Sequence, residues 1–287
     1  MKNWIRAAAV AAAVSSGAVA ALAQWPAYPD GGPRKPDGKP DFTAPTPRTA
    51  DGRPDFTGVW DLTRGVIGGG GPGVGTEQGD GALPAGPPSS PGGPPLATFF
   101  NIAANMKGGA PLQPWAWELL EKRRGDNDKD NPDAHCLPMG LMQFHLHPQP
   151  RKIVQTAKLI VIIYEANHGL RQIYLDGRSL PSNDPDPWWY GYSVGHWEGD
   201  TLVVETAGYR DDVWLDVWGT PMTSAARTIE RFRRLNYGSM QIDVTIDDPK
   251  AYTKPFTVRV NHRLAPDSEL IEFICQDRDA GHYVGKQ

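Results

Sequence analysis

The stretch Gly191-Tyr192-Ser193-Val194-Gly195 fits G-x-S-x-G, the turn that presents a nucleophilic serine in serine hydrolases. That chemistry needs a strand, a sharp bend and then a helix. Here Ser193 lies in strand-like sequence, and Glu198-Gly199-Asp200 leads straight into a second strand, Thr201-Leu202-Val203-Val204-Glu205. No helix can start after Ser193, so the stretch reads as the first half of a hairpin and Ser193 as a strand residue. Acid–base chemistry has better candidates in Glu205, Glu230 and His262. Glu205 shares a strand face with Val203, Glu230 with Phe232, and His262 with Phe256, Val258 and Val260. Side chains that alternate with apolar neighbours point inward, where a carboxylate and an imidazole of shifted pKa can serve as acid and base.

Around these lie residues suited to holding a ligand. On the strand from Tyr190 to Trp197 one face carries Tyr190, Tyr192, Val194 and His196, with Ser193 pointing the other way. Trp188, Trp189, Trp197, Trp214 and Trp218 crowd a short region and suit stacking on an aromatic ligand, core packing or cover for a barrel mouth. The expected ligand-binding set is Arg171, Tyr190, Tyr192, His196, Trp197 and Trp214. His145-Leu146-His147 would put two imidazoles on one face of a strand, and His135 could supply a third ligand. No suitably spaced Glu follows, and Pro148 and Pro150 interrupt the run, so the two histidines read as exposed or capping and no metal is expected. Gly-rich GGGGPGVG is not followed by Gly-Lys-Ser/Thr, so it is no phosphate loop and no cofactor is expected.

The elements that must position these residues are mostly strands. From about Ile153 onward, short Val/Ile/Thr/Tyr-rich runs alternate with turn residues. Strands are expected near 153–165, 170–176, 190–197, 201–207, 226–235, 239–247, 256–264 and 269–276. Hairpin-sized links such as Tyr237-Gly238 and Pro266-Asp267-Ser268 make neighbours antiparallel. The fold class is therefore mainly β: an antiparallel meander forming a barrel or strongly curved sheet, preceded by one short helix. That helix is expected over Pro114 to Arg124, with Trp115, Leu119 and Leu120 roughly on one side.

The first half of the chain is organised differently. Lys2 and Arg6 precede an Ala-rich run that ends at Ala21-Leu22-Ala23, which reads as a secretory signal peptide over 1–23. Residues 24–58 read as an extended, polar, proline-rich strap over the domain, containing DGKPDFT at 37–43 and DGRPDFT at 51–57. Residues 65–95 hold 12 Gly and 7 Pro and read as a disordered insertion in a single domain over 59–287. Without Lys2 and Arg6, 27 of the 29 basic residues remain against 33 acidic ones, a net charge of −6. Such a chain, with no basic stripe, suits neither nucleic acid nor an anionic membrane surface. No stretch after signal cleavage could span a bilayer, which places the protein in the periplasm or outside the cell. In that setting Cys136 and Cys275 read as a disulfide closing a loop of 139 residues and tying the start of the domain to its last strand.

The motifs PDFTGVW, CLPMG, RQIYLDGR, GYSVGHWEGDTLVVET and TIDDPKAYTKP together resemble a group of secreted bacterial proteins. The resemblance covers roughly residues 50–60 and 136–276 and implies export. It carries no assigned chemistry, so it transfers no catalytic residue. Gly58-Val59-Trp60 is similar to the G-x-W that opens a lipocalin barrel, which implies a barrel around a ligand cavity. The expected function is an exported barrel binding a small apolar or aromatic molecule. The alternatives are a metal-independent hydratase, lyase, isomerase or hydrolase using Glu205 or Glu230 with His262, and a structural role in the cell envelope.

Overall fold

A computed structural model describes residues 31–62, 93–181, 186–273 and 275. The expected signal peptide and nearly all of the Gly/Pro-rich insertion lie outside the described residues. Among the described residues, nine strands form one closed barrel in sequence order: β1 (Gly58–Leu62), β2 (Arg151–Gln155), β3 (Leu159–Tyr164), β4 (Leu170–Tyr174), β5 (Tyr192–Glu198), β6 (Thr201–Ala207), β7 (Arg227–Arg234), β8 (Ser239–Asp247) and β9 (Phe256–Leu264). β1 closes the ring by pairing with both β2 and β9. Every neighbouring pair is antiparallel except β4 and β5, which run parallel over only two register pairs, Ile173↔Ser193 and Tyr174↔Val194.

The strand reading holds from 170 to 264 with small shifts of boundary, and two parts of it need correction. The single strand over 153–165 is a hairpin, β2 and β3, whose turn at 156–158 is closed by the Thr156 hydroxyl: it donates to the Leu159 carbonyl and accepts the Leu159 N–H. The strand over 269–276 is absent over 269–273, because β1 already occupies the free edge of β9. Cys275 therefore lies outside the sheet, but its disulfide to Cys136 is present.

The barrel interior is packed with side chains. Ile153, Ile160, Ile162, Ile173, Leu202, Val204, Phe232, Ile242, Val244, Val258 and Val260 are all buried and alternate along their strands. The two ends are covered differently. At one end, α2 (Leu141–Leu146) lies across the opening, and every one of its residues is buried. Its predecessor α1 (Pro114–Gly125) starts with proline at its first position, where the missing N–H costs nothing, and ends on Lys122, Arg123 and Arg124, favourable at the helix C-terminus. α1 buries Ala116 and Leu120, whereas Trp115 is exposed, so the expected apolar side is turned from the one observed.

The strap closes the other end as two copies of one turn rather than as an extended segment. In the first, Lys35 donates to the Lys39 carbonyl and Gly38 to that of Lys35; in the second, Thr49 donates to Arg53 and Gly52 to Thr49. Gly38 and Gly52 sit at φ 82° and 80°, which only glycine adopts readily. Arg34 reaches Asp267, and Arg48 grips both oxygens of Asp200 at 2.8 and 2.6 Å, so each copy fastens to a turn of the barrel. The second copy delivers Phe56 into the interior, where it stacks on Trp197 at 5.9 Å and meets Phe232 edge-on at 6.1 Å.

Candidate functional site

The polar centre of the barrel is built on Glu230, which is fully buried on β7. One of its oxygens accepts from His145 Nε2 at 2.6 Å and from Arg171 Nη1 at 3.0 Å; the other is held by Arg171 Nη2. Arg171, on β4, also donates from Nε and Nη2 to Ser193 Oγ at 3.1 and 3.0 Å, and from Nη2 to Thr206 Oγ1 at 3.1 Å. Ser193 and Thr206 share a further hydrogen bond of 2.9 Å. Burial alone would raise the Glu230 pKa, but the Arg171 charge and the His145 N–H outweigh it and hold the carboxyl at about 2. Burial likewise opposes the Arg171 charge, and the Glu230 carboxylate more than restores it.

His145 is neutral at ordinary pH, because burial pushes its pKa down more than Glu230 pulls it up. Its proton sits on Nε2, facing the carboxylate. The partner sought for Glu230 was His262, and here the expectation is corrected: His262 is buried, and its Nε2 faces Arg151 Nη1 at 2.5 Å and the His145 carbonyl at 2.8 Å rather than Glu230. Burial and the Arg151 charge drive the His262 pKa well below its usual value. Arg151 itself donates to the carbonyls of His145, His147 and Gln149 at 3.0, 2.7 and 2.7 Å, and so caps the C-terminal end of α2. The histidines at 145 and 147 are thus neither on a strand nor exposed. Among the described residues, no three His, Cys, Asp or Glu side chains are placed to hold a metal.

Several other site residues lie elsewhere than expected. Glu205 is exposed: β6 turns Leu202, Val204 and Thr206 inward, and Glu205 pairs with Val194 and Ile229 on the outer face. On β5 the faces are inverted relative to apolar alternation. Ser193, Gly195 and Trp197 point inward, while Tyr192, Val194 and His196 point outward, with His196 exposed beside Glu198. A Cβ on Gly195 would sit 2.8 Å from Leu175, 3.2 Å from Ile173 and 3.3 Å from Leu202, so the inner face has no room for a larger residue. Trp197 is half-buried and packs against the core, stacked on Phe56 at 5.9 Å with the Arg53 guanidinium 5.7 Å from its ring. Trp214 is buried in the β6–β7 connection with Arg123 packed 4.3 Å from its ring, in a separate 460 Å³ cleft that Trp189 and Arg210 also line.

Three of the expected ligand residues do come together. Where β4 and β5 diverge beyond their two register pairs, a cleft of 260 Å³ opens in the barrel wall, lined by Leu170, Arg171, Gln172, Tyr174, Trp188, Tyr190, Gly191, Tyr192 and Ser193. Arg171 and Ser193 form its buried floor, and Leu170, Gln172 and Trp188 its exposed rim. One wall is a stack: Arg178 lies 3.8 Å from the Tyr174 ring, Tyr174 stacks on Tyr192 at 5.2 Å, and Trp188 leans on Tyr192 at 4.9 Å. Opposite, Tyr190 packs edge-on against Phe144 of α2 at 5.1 Å, and Phe144 stacks on Tyr164 at 4.4 Å. The serine of GYSVG is thus the stretch's inward polar residue. It serves as an acceptor for Arg171, with no imidazole among its hydrogen-bond partners.

No protein-family model matches the chain, and no curated protein or solved structure is significantly similar to it. The functional reading therefore rests on the site.

Proposed function

We propose that this is an exported β-barrel protein that binds one small apolar or aromatic molecule in the β4–β5 cleft. The observation that carries the reading is the cleft itself: ring walls from Trp188, Tyr190 and Tyr192 around a floor made by Arg171 and Ser193. Concave, mostly apolar sites with a few fixed polar groups are how proteins hold small ligands. Its 260 Å³ is modest; an apolar cavity of about 150 Å³ holds benzene, so the cleft suits one substituted ring or two fused rings. Export is supported by the leader-like N-terminus and by the Cys136–Cys275 disulfide, a bond typical of oxidising compartments. The acid–base alternative has less support. Glu230 has both oxygens committed and no exposed surface, and Glu205 lies on the outer face.

The test is a titration of the protein with single-ring compounds followed by two-dimensional NMR. Binding at the cleft shifts amide signals of residues 170–174 and 188–193. Absence of any such shift at millimolar ligand, or shifts confined to other parts of the barrel, would reject this site.

A further inference from the structure

We infer that the cleft selects uncharged rings over anionic ones, and that Glu230, which lines none of it, sets this preference by neutralising Arg171 from behind. This rests on the binding reading above. An arginine on the floor of an aromatic cleft is ordinarily an invitation to a carboxylate, because its planar fork matches one bidentately. Here that fork is already taken. Glu230 holds both Nη atoms of Arg171 from the interior side, and Ser193 and Thr206 take up Nε and a share of Nη2. A carboxylate entering the cleft would lose its water and meet no uncompensated charge. The other guanidinium at the cleft, Arg178, is cancelled in the same way: it pairs with Asp176 at 2.6 Å and spends a further N–H on the Tyr192 hydroxyl at 2.9 Å. No carboxylate is among the residues lining the cleft, so a cationic ring finds no counter-charge there. What the lining offers is ring faces, with a polar floor whose charge is balanced.

The experiment compares benzyl alcohol with benzoate, two rings of similar size and different charge, by NMR titration of the full chain at neutral pH. The wild-type protein is expected to bind benzyl alcohol at least tenfold more tightly than benzoate. Glu230→Gln leaves Arg171 uncompensated and is expected to raise benzoate affinity at least tenfold while benzyl alcohol changes by less than threefold. Equal or tighter binding of benzoate by the wild type would overturn the inference and leave the binding reading standing; no binding of either probe would overturn both. If Glu230→Gln does not fold, the Arg171 Nε–H signal of the wild-type protein is followed during the benzoate titration and is expected to stay in place, because Glu230, Ser193 and Thr206 hold the guanidinium. A shift of that signal with benzoate larger than the shift with benzyl alcohol would refute the inference.

Discussion

Glu230 grips Arg171 through both carboxylate oxygens at the centre of the barrel, and both side chains are buried. Such a pair is not a large net source of stability, because desolvation of both ions offsets much of their attraction. Breaking it is another matter. Glu230→Ala should destabilise the fold by about 3–5 kcal/mol, since it leaves a guanidinium buried without its counter-charge. Urea denaturation of the two proteins measures this, and a loss under about 1 kcal/mol would mean that Arg171 finds another partner.

The same cluster predicts how stability responds to acid. Glu230 titrates lower in the folded chain than in the unfolded one, so the unfolded chain binds more protons as pH falls from the ordinary carboxylate range towards about 2. His145 and His262 are also depressed by burial, which extends the same sign upward to their usual pKa near 6.5. Stability should be full above that value, decline below it, and fall again in the carboxylate range. Denaturation midpoints from pH 3 to 8 should show this two-step loss, and His262→Gln should flatten the upper step if the variant folds.

Trp188, Tyr190 and Trp197 separate the cleft from the core. Trp188→Ala and Tyr190→Ala should weaken binding of a single-ring probe at least fivefold and leave the fold intact. Trp197→Ala should leave binding within twofold and cost about 3 kcal/mol, since it empties the stack with Phe56. Calorimetric titration alongside thermal melts would show the pattern, and the reverse ordering would place the site at the strap end of the barrel instead of the cleft.

Gly195→Ala tests the inverted faces of β5. Its added methyl would press on Leu175 and Ile173, so a loss of roughly 1–3 kcal/mol is expected, against the near-neutral result for an outward glycine.

Removing the disulfide with Cys136→Ser/Cys275→Ser frees a loop of 139 residues that encloses eight of the nine strands. The chain-entropy model assigns such a closure about 4–5 kcal/mol, so a lowered melting temperature is expected in the double variant.

Much of the barrel was legible because Ser239–Asp247 and Phe256–Leu264 alternate cleanly. The inward placement of Glu230 and His262 followed from the same alternation. It failed on β5, where the bulky aromatics lie outside and Ser193 and Gly195 inside, because the space there is already taken by Arg171, Ile173 and Leu202. Apolar periodicity reports which residues prefer burial, and cannot report that an interior is full. His145 was missed for a different reason. LMQFHL was assigned to no element, because a six-residue helix is too short to show its period. Its contact with Glu230 spans 85 residues of sequence and leaves no local trace.

Directions can alternate around a closed ring only when the number of members is even. With nine strands, one pair must run the same way, and in this barrel the misfit falls between β4 and β5. The cleft sits on that misfit. Its position thus follows from a count, and a homologous barrel that gained or lost one strand would have no obligatory seam at which to place it.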